Sequence, residues 1–439
     1  MTYELMAILM FLSMVTMLLT GRHIYAVIGG VATIFSLLLW GKGGSGLPFH
    51  AVFSLLNWYP LLTLPIFIFM GYMFSKAGIA DDLYRMMHVW FGPVRGGLAI
   101  GTIILMSVIA AMNGLSVAGM AIGTSIALPE MLKRKYDKVL VTGVIQAGSS
   151  LGIMIPPSVV LVLYGMIARQ PVGRLWLAGV FPGLLLTGLF IVYILIRAFI
   201  QPDIGPALSW EERQMPMKEK LELLLAGIPP VLIIFMMSGL FFMGVTSLVE
   251  SSAVGAVSVT LVALFKKRLD WKGFLDVLVE TLSVSCMFMW VILAALAFGA
   301  VFDGLGAVHA IKNLFLNYGF GKWGIILMMQ LSYILMGMFL DDTAMLIIVA
   351  PLYVPLVIEL GFSPIWYGIL YTITCQIAYL TPPFGYNLFL MKAMAPKEIT
   401  LSDIYRSVWP FVGLMVVGLV IVMLFPDLAT WLPNLVYKN

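Results

Sequence analysis

Charge is the first thing this sequence lacks. Asp, Glu, Lys and Arg make up only 10% of its 439 residues, against about 25% in ordinary soluble domains. A globule of that size with so few charges could not solvate its surface, so a soluble fold is excluded. Cysteine is scarce as well: Cys286 and Cys375 are the only two, both inside apolar stretches and far apart in sequence. That leaves no disulfide framework and no cysteine metal site. The four histidines, His23, His50, His88 and His309, are scattered and form no H-E-x-x-H pair. No phosphate-binding glycine loop or dinucleotide fingerprint occurs. Gly114-Leu115-Ser116-Val117-Ala118 misses the last glycine of a nucleophile elbow. An intramembrane hydrolase using Ser116 or the Asp341/Asp342 pair is the one enzyme reading left, and symmetric cores suit alternating access better than catalysis. The formal net charge of +4 sits in short loops and requires no nucleic-acid partner.

What the sequence has instead is apolar length. Hydrophobic residues make up 62% of it, and several runs approach the roughly 20 residues that span a bilayer. In hydrocarbon every backbone N–H and C=O must be satisfied within the protein. A Leu/Met/Ala/Phe-rich chain without alternation then forms helices rather than a barrel. Full spans are expected near residues 5–20, 24–40, 52–74, 176–199, 222–243, 247–265, 274–300 and 409–431. The first is read as a retained helix, because no basic region precedes it and no small-residue cleavage site follows. The chain reads as a multi-pass protein of the lipid bilayer.

It also contains two copies of one unit. Pro129 answers Pro355, and Pro156-Pro157 answers Pro382-Pro383, both 226 residues on. Gly97 answers Gly324 and Ser116 answers Thr343 at 227, while Gly71, Phe74 and Gly78 answer Gly299, Phe302 and Gly306 at 228. Paired, proline- and glycine-interrupted apolar segments point to a transporter's binding site. The predicted fold class is an all-α polytopic membrane protein, an inverted repeat with two re-entrant hairpins and two Pro-Pro-broken helices. After N-terminal helices in 1–50, the first repeat covers 51–200, with an amphipathic arm at 78–91, a hairpin at 97–132 and a broken helix at 139–168. A loop and central helices fill 201–273. The second repeat covers 274–431, with an arm at 303–320, a hairpin at 324–359 and a broken helix at 366–394, before a tail at 432–439.

Charge bias fixes the expected orientation. Lys133-Arg134-Lys135-Tyr136-Asp137-Lys138 follows the first hairpin with four basic residues, whereas Glu359 to Pro364, after the second, has none. Lys and Arg in short loops mark the cytoplasmic side. The first hairpin is therefore expected to open from the cytoplasm and the second from outside.

Polar residues at the interruptions are the candidate ligands. The first tip, Asn113-Gly114-Leu115-Ser116, offers carbonyls, an amide and a hydroxyl, and the broken helix opposite offers Gly148-Ser149-Ser150 and Gly152. Unwound backbone frees carbonyl oxygens for a small cation, while helix N-termini present N–H groups to an anion. Close helix packing is the plainer use of such small residues. In the second tip Asp341 and Asp342 are costly at membrane depth. They serve there as ligands, or one of them serves as the N-cap of the helix starting at Thr343. Glu250 either braces helices or carries chemistry.

These stretches resemble the large membrane subunit of tripartite ATP-independent periplasmic (TRAP) transporters. The resemblance runs from Leu64-Pro65-Ile66-Phe67-Ile68-Phe69-Met70-Gly71 to Trp409-Pro410, through Gly78-Ile79-Ala80-Asp81-Asp82-Leu83, Phe91-Gly92-Pro93-Val94-Arg95-Gly96-Gly97, Ala127-Leu128-Pro129-Glu130-Met131-Leu132, Leu151-Gly152-Ile153-Met154-Ile155-Pro156-Pro157-Ser158 and Thr381-Pro382-Pro383-Phe384-Gly385. It implies a sodium-driven symporter of the bacterial inner membrane, importing a small organic acid (a carboxylate or sulfonate) delivered by a periplasmic substrate-binding protein. It implies an elevator motion of the hairpins and broken helices against a scaffold. A small four-helix membrane subunit is expected as a separate partner chain. Carried over, one sodium site takes Asn113, Gly114, Ser116, Ser149 and Gly152, and a second takes Asp342, Thr343 and Thr381. Substrate contacts fall to Asn113, Ser116, Ser149, Ser150 and Asp341. No organic cofactor is implied. The first tip departs from the family's hydroxyl-rich Gly-Ser-Ser-x-Ala-Thr, which bears on substrate choice. A proton-coupled or sodium/proton-exchanging carrier of similar fold is the alternative.

Overall fold

The computed structural model describes residues 3–437 apart from 19, 21–23, 40–42, 45, 58, 115, 209–214, 306–320, 338–341 and 383–384. The described residues are helical and contain no strand. Among the described residues five helices are long and apolar enough to cross a membrane: Val172–Ile200, Met217–Phe242, Leu248–Phe265, Trp271–Phe302 and Leu401–Leu424. The protein is a multi-pass, all-α membrane protein.

Helices α1 (Tyr3–Leu18) and α2 (Ile24–Leu39) open the chain. The run expected as one span at 52–74 is instead divided into α3 (Gly46–Leu56), a 3-10 turn at Tyr59–Leu62 and α4 (Thr63–Lys76). Pro60 lies in that turn, where a missing N–H costs nothing at a helix start but breaks a helix interior. Gly78 then adopts φ +65, and α5 (Ile79–Phe91) leaves α4 at a bend of 61°. This is the first arm. Lys266, at the end of the Leu248–Phe265 span, pairs with Asp82 of the arm.

The first hairpin is α6 (Gly97–Asn113) and α7 (Ser116–Ile122), which passes a π turn at Gly123–Ala127 into α8 (Leu128–Lys133). At 17 residues α6 is about 25 Å long, shorter than the roughly 30 Å hydrocarbon core. The first broken helix is α9 (Lys138–Ser150), a 3-10 turn at Leu151–Ile153, the Pro156-Pro157 break and α10 (Val159–Ala168). Asp137 caps the start of α9, accepting from the Leu140 N–H at 2.9 Å, and Ser158 caps α10, accepting from Leu161 at 3.1 Å. The Ser158 cap lets helix resume after Pro156-Pro157 removes donors.

The parts recur in the second half. Lys322–Gly337 and Asp342–Glu359 are the two helices of the second hairpin, and Pro364–Leu380 and Tyr386–Met394 flank Pro382-Pro383. Of the second arm expected at 303–320, residues 306–320 lie outside the described residues, as do Leu340 and Asp341 of the second tip, and Trp271–Gly304 runs on as helix into the arm's expected start. The last span also differs from expectation. It begins at Leu401, eight residues before the predicted start at 409, and ends at Leu424 before a separate helix, Asp427–Val436. Its start is fixed by a capping box, in which Thr400 and Asp403 each bind the other's backbone N–H.

Tyrosines join the two repeats. Tyr164 of α10 donates to the Pro364 carbonyl at 2.7 Å and stacks on Tyr371, ring centroids 6.1 Å apart. Tyr367 donates to Tyr333 at 3.2 Å, and Tyr333 meets Tyr371 edge-on at 4.9 Å. All four are fully buried. The hydroxyls of Tyr164, Tyr333 and Tyr367 each have a partner, as burial in an apolar core demands. The halves of the duplicated unit therefore share one core.

Candidate functional site

The first hairpin tip is docked on the first break. Gly114 holds φ +66 and ends α6, its N–H bonded to the Ala110 carbonyl at 3.1 Å. Its own carbonyl accepts from the Val159 N–H, the first of α10, at 3.3 Å. A Cβ at this position would stand 2.1 Å from the Pro157 carbonyl oxygen. Only glycine fits a left-handed turn pressed that closely against backbone. The hairpin thus supplies an acceptor to a helix end that the prolines leave open.

Ser116, two residues on, is buried and donates to Oδ1 of Asn387 at 3.2 Å. Asn387 belongs to the second repeat, in the helix Tyr386–Met394 that follows Pro382-Pro383. Its Nδ2 donates to Ser149 Oγ at 3.3 Å and to the Gln146 carbonyl at 3.4 Å. One fully buried amide therefore ties the first hairpin, the first broken helix and the second broken helix together. Ser149 also donates to Gln146 O at 2.9 Å, and Ser150 donates to Ala147 O at 2.7 Å. The Gln146 side chain donates to Thr142 O at 3.2 Å and to Ser407 Oγ of the last span at 3.1 Å, while its Oε1 is buried without a hydrogen-bond partner.

Ser116 and Ser149, predicted from sequence, are thus brought together, and Gly114 and Gly152 flank them in the tip and in the 3-10 turn. Ser150, although buried beside Ser149, turns its hydroxyl to its own helix. Asn113 ends α6, and its side chain is not among those described. Of the residues expected at a second site, Thr381 is buried and donates to Ile377 O at 2.6 Å. Asp342 and Thr343 begin their helix, with side chains outside those described. Glu250 exchanges hydrogen bonds with Ser247 in a capping box at an exposed helix start. Asn387 is the residue sequence reasoning missed, although a lone amide in an apolar run just after a Pro-Pro pair was a visible signal.

Lys138 and Asp403 form an ion pair at 2.8 Å, joining the start of α9 to the start of the last span. In the same loop Tyr136 accepts from the Leu98 N–H at 3.3 Å, and burial pushes its hydroxyl up to about 12, so it stays neutral at working pH. These contacts tie the basic loop to the start of α6 and the start of α9 to the last span. Among the described residues no cluster of three His, Cys, Asp or Glu side chains is placed to hold a metal. The donors around Ser116, Asn387 and Ser149 are neutral oxygens and amides.

Residues 11–428 match the family described as the tripartite ATP-independent periplasmic transporter, DctM component. The chain is 31% identical to the C4-dicarboxylate TRAP transporter large permease protein DctM of Vibrio cholerae, over 97% of each chain. It is 27% identical to the isethionate TRAP transporter permease protein DctMQ of Oleidesulfovibrio alaskensis, over 90% of this chain and 62% of that longer one. Among solved structures the YdaH transporter of Alcanivorax borkumensis superposes with a TM-score of 0.63 over 90% of each chain. At 13% identity that likeness concerns the fold alone.

Proposed function

This chain belongs to the DctM-component family of tripartite ATP-independent periplasmic transporters, and from that premise we propose that it is the large membrane subunit of a sodium-coupled organic-acid importer. In this reading it sits in the bacterial inner membrane with a small four-helix subunit and receives its substrate from a periplasmic binding protein. The substrate is a small carboxylate or sulfonate, the two classes to which the C4-dicarboxylates and isethionate of the relatives belong. The hairpins and broken helices form the moving body, and α2 to α4 with the spans Leu248–Phe265 and Trp271–Phe302 form the scaffold.

The observation that carries the reading is the bridge from Ser116 through Asn387 to Ser149. It places neutral oxygens where three interrupted helices meet, and neutral oxygens suit a hard monovalent cation. Sodium is co-transported cargo here, and Ser116, Ser149, Gly114 and Gly152 are the residues proposed to face it. Asp342, Thr343 and Thr381 are proposed for a second ion, and Asn113, Ser150 and Asp341 for the substrate's surroundings. Two sodium ions entering with a monoanion carry one net positive charge inward. A potential of 100 mV then contributes about 2.3 kcal/mol, roughly a fifty-fold accumulation, before the sodium gradient is counted.

Uptake in proteoliposomes, with the binding protein and small subunit present, tests this directly. Replacing external sodium by potassium is expected to lower the initial rate at least about tenfold, because the coupling term is lost. Uptake that ignores sodium and follows a proton gradient would establish the proton-coupled alternative instead.

A further inference from the structure

Three glutamines are buried in the core, and they differ in how their amides are used. Gln146 donates from Nε2, and Gln330 accepts the Thr374 hydroxyl at 2.5 Å on Oε1. Gln376 uses neither end: both Nε2 and Oε1 are buried without a hydrogen-bond partner, and the residue is 0% exposed. It lies in the helix Pro364–Leu380, six residues before Pro382. That helix packs against α9 and the 3-10 turn after it, so the two broken helices are neighbours.

The duplication sharpens the point. Gln376 stands 226 residues after Ser150, the offset that relates the two Pro-Pro pairs. In the first repeat this position is self-contained, since Ser150 bonds its own helix. In the second it carries two N–H donors and a carbonyl acceptor with nothing to bind. Buried polar groups are almost always paired, and an unpaired amide destabilises the fold unless a ligand uses it. Functional sites are where proteins keep such destabilising groups.

We propose that Gln376 is a substrate-binding residue of the second broken helix. The Nε2 hydrogens donate to the acid oxygens of a small organic anion, and Oε1 accepts from a donor on the same solute. A site built to hydrogen-bond a substrate group rejects molecules that lack it, because its own polar atoms are then left unpaired. Of these two equivalent positions, Gln376 is therefore the one with open hydrogen-bonding groups for the solute, while Ser150 only borders it. The inference rests on the transport reading.

Two measurements on the full-length chain test it without sodium or a binding protein. Gln376→Met, similar in shape and without polar ends, is expected to raise the melting temperature by about 1–3 °C. In a Cys286→Ser, Cys375→Ser background, Gln376→Cys should react with methanethiosulfonate ethylsulfonate, a small organic anion. The rate should exceed that of Thr372→Cys at least about tenfold, since thiol reactivity follows access and thiolate character. Thr372 is the control because it is equally buried on the same helix and bonded to Gly368 O at 2.8 Å. A lowered melting temperature for Gln376→Met, or equal labelling of the two cysteines, would overturn the assignment. Neither readout involves sodium, so loss of sodium coupling and loss of this site can be told apart.

Discussion

Gly114→Ala is expected to reduce uptake at least about 100-fold while leaving the chain inserted in the membrane, because two independent penalties converge at that position. The backbone there holds φ +66, and a left-handed conformation costs an L-residue roughly 1–2 kcal/mol. The larger penalty is steric. A Cβ would lie 2.1 Å from the Pro157 carbonyl oxygen, so the tip must lift off the break by about 1 Å to reach an ordinary contact. Lifting also removes the Gly114 carbonyl from the Val159 N–H and carries Ser116 away from Asn387. Gly413→Ala supplies the control, since a Cβ at that position meets nothing within 4 Å. It should retain wild-type uptake, and initial rates of the two variants in one preparation make the comparison. Normal uptake by Gly114→Ala would mean that the tip does not dock on the break during transport.

Asn387→Leu is the second large effect. The side chains are similar in volume, but leucine removes one acceptor and the donor that reaches both Ser149 and the Gln146 carbonyl. Stranding a buried polar partner costs about 1–3 kcal/mol. The expected result is therefore a fall in uptake of about 10- to 100-fold. Ser116→Ala alone should cost less, because it leaves the Ser149 side of the bridge intact. If the bridge acts as a unit, the double variant will fall short of the summed single effects by about 1 kcal/mol. Strict additivity would show that Ser116 and Asn387 act separately.

Features set by local chemistry were legible in the sequence. Pro156-Pro157 and Gly114 could be placed at a break and a tip because proline removes a donor and glycine alone tolerates positive φ next to backbone. The arm's bend at Gly78 follows from the same rule. Where local signals compete, the reading slipped. Pro60 divides the expected span at 52–74, yet proline is also tolerated at a helix start, so the run alone did not show the break. The last span begins at Leu401 because the Thr400-Asp403 box outweighs the more apolar stretch downstream. Glu250 was ambiguous until its pairing with Ser247 was visible three residues away.

Asn387 was hidden for a different reason. Its partners Ser116 and Ser149 lie 271 and 238 residues away, in the other copy of the unit. Duplication predicts that each broken helix faces its own hairpin. It does not predict that an amide of one copy closes the site of the other. Gln376 was overlooked for a similar reason, since an unpartnered amide is recognised only after every neighbour's bonds are known.

The central claim is that two copies of one unit, oppositely oriented in the membrane, build the site between them. Single cysteines at Lys133 and Glu359, in a chain lacking Cys286 and Cys375, test this with a membrane-impermeant maleimide. Glu359→Cys should react in intact cells and Lys133→Cys only after permeabilisation. Reaction of both from the same side would contradict the inverted repeat.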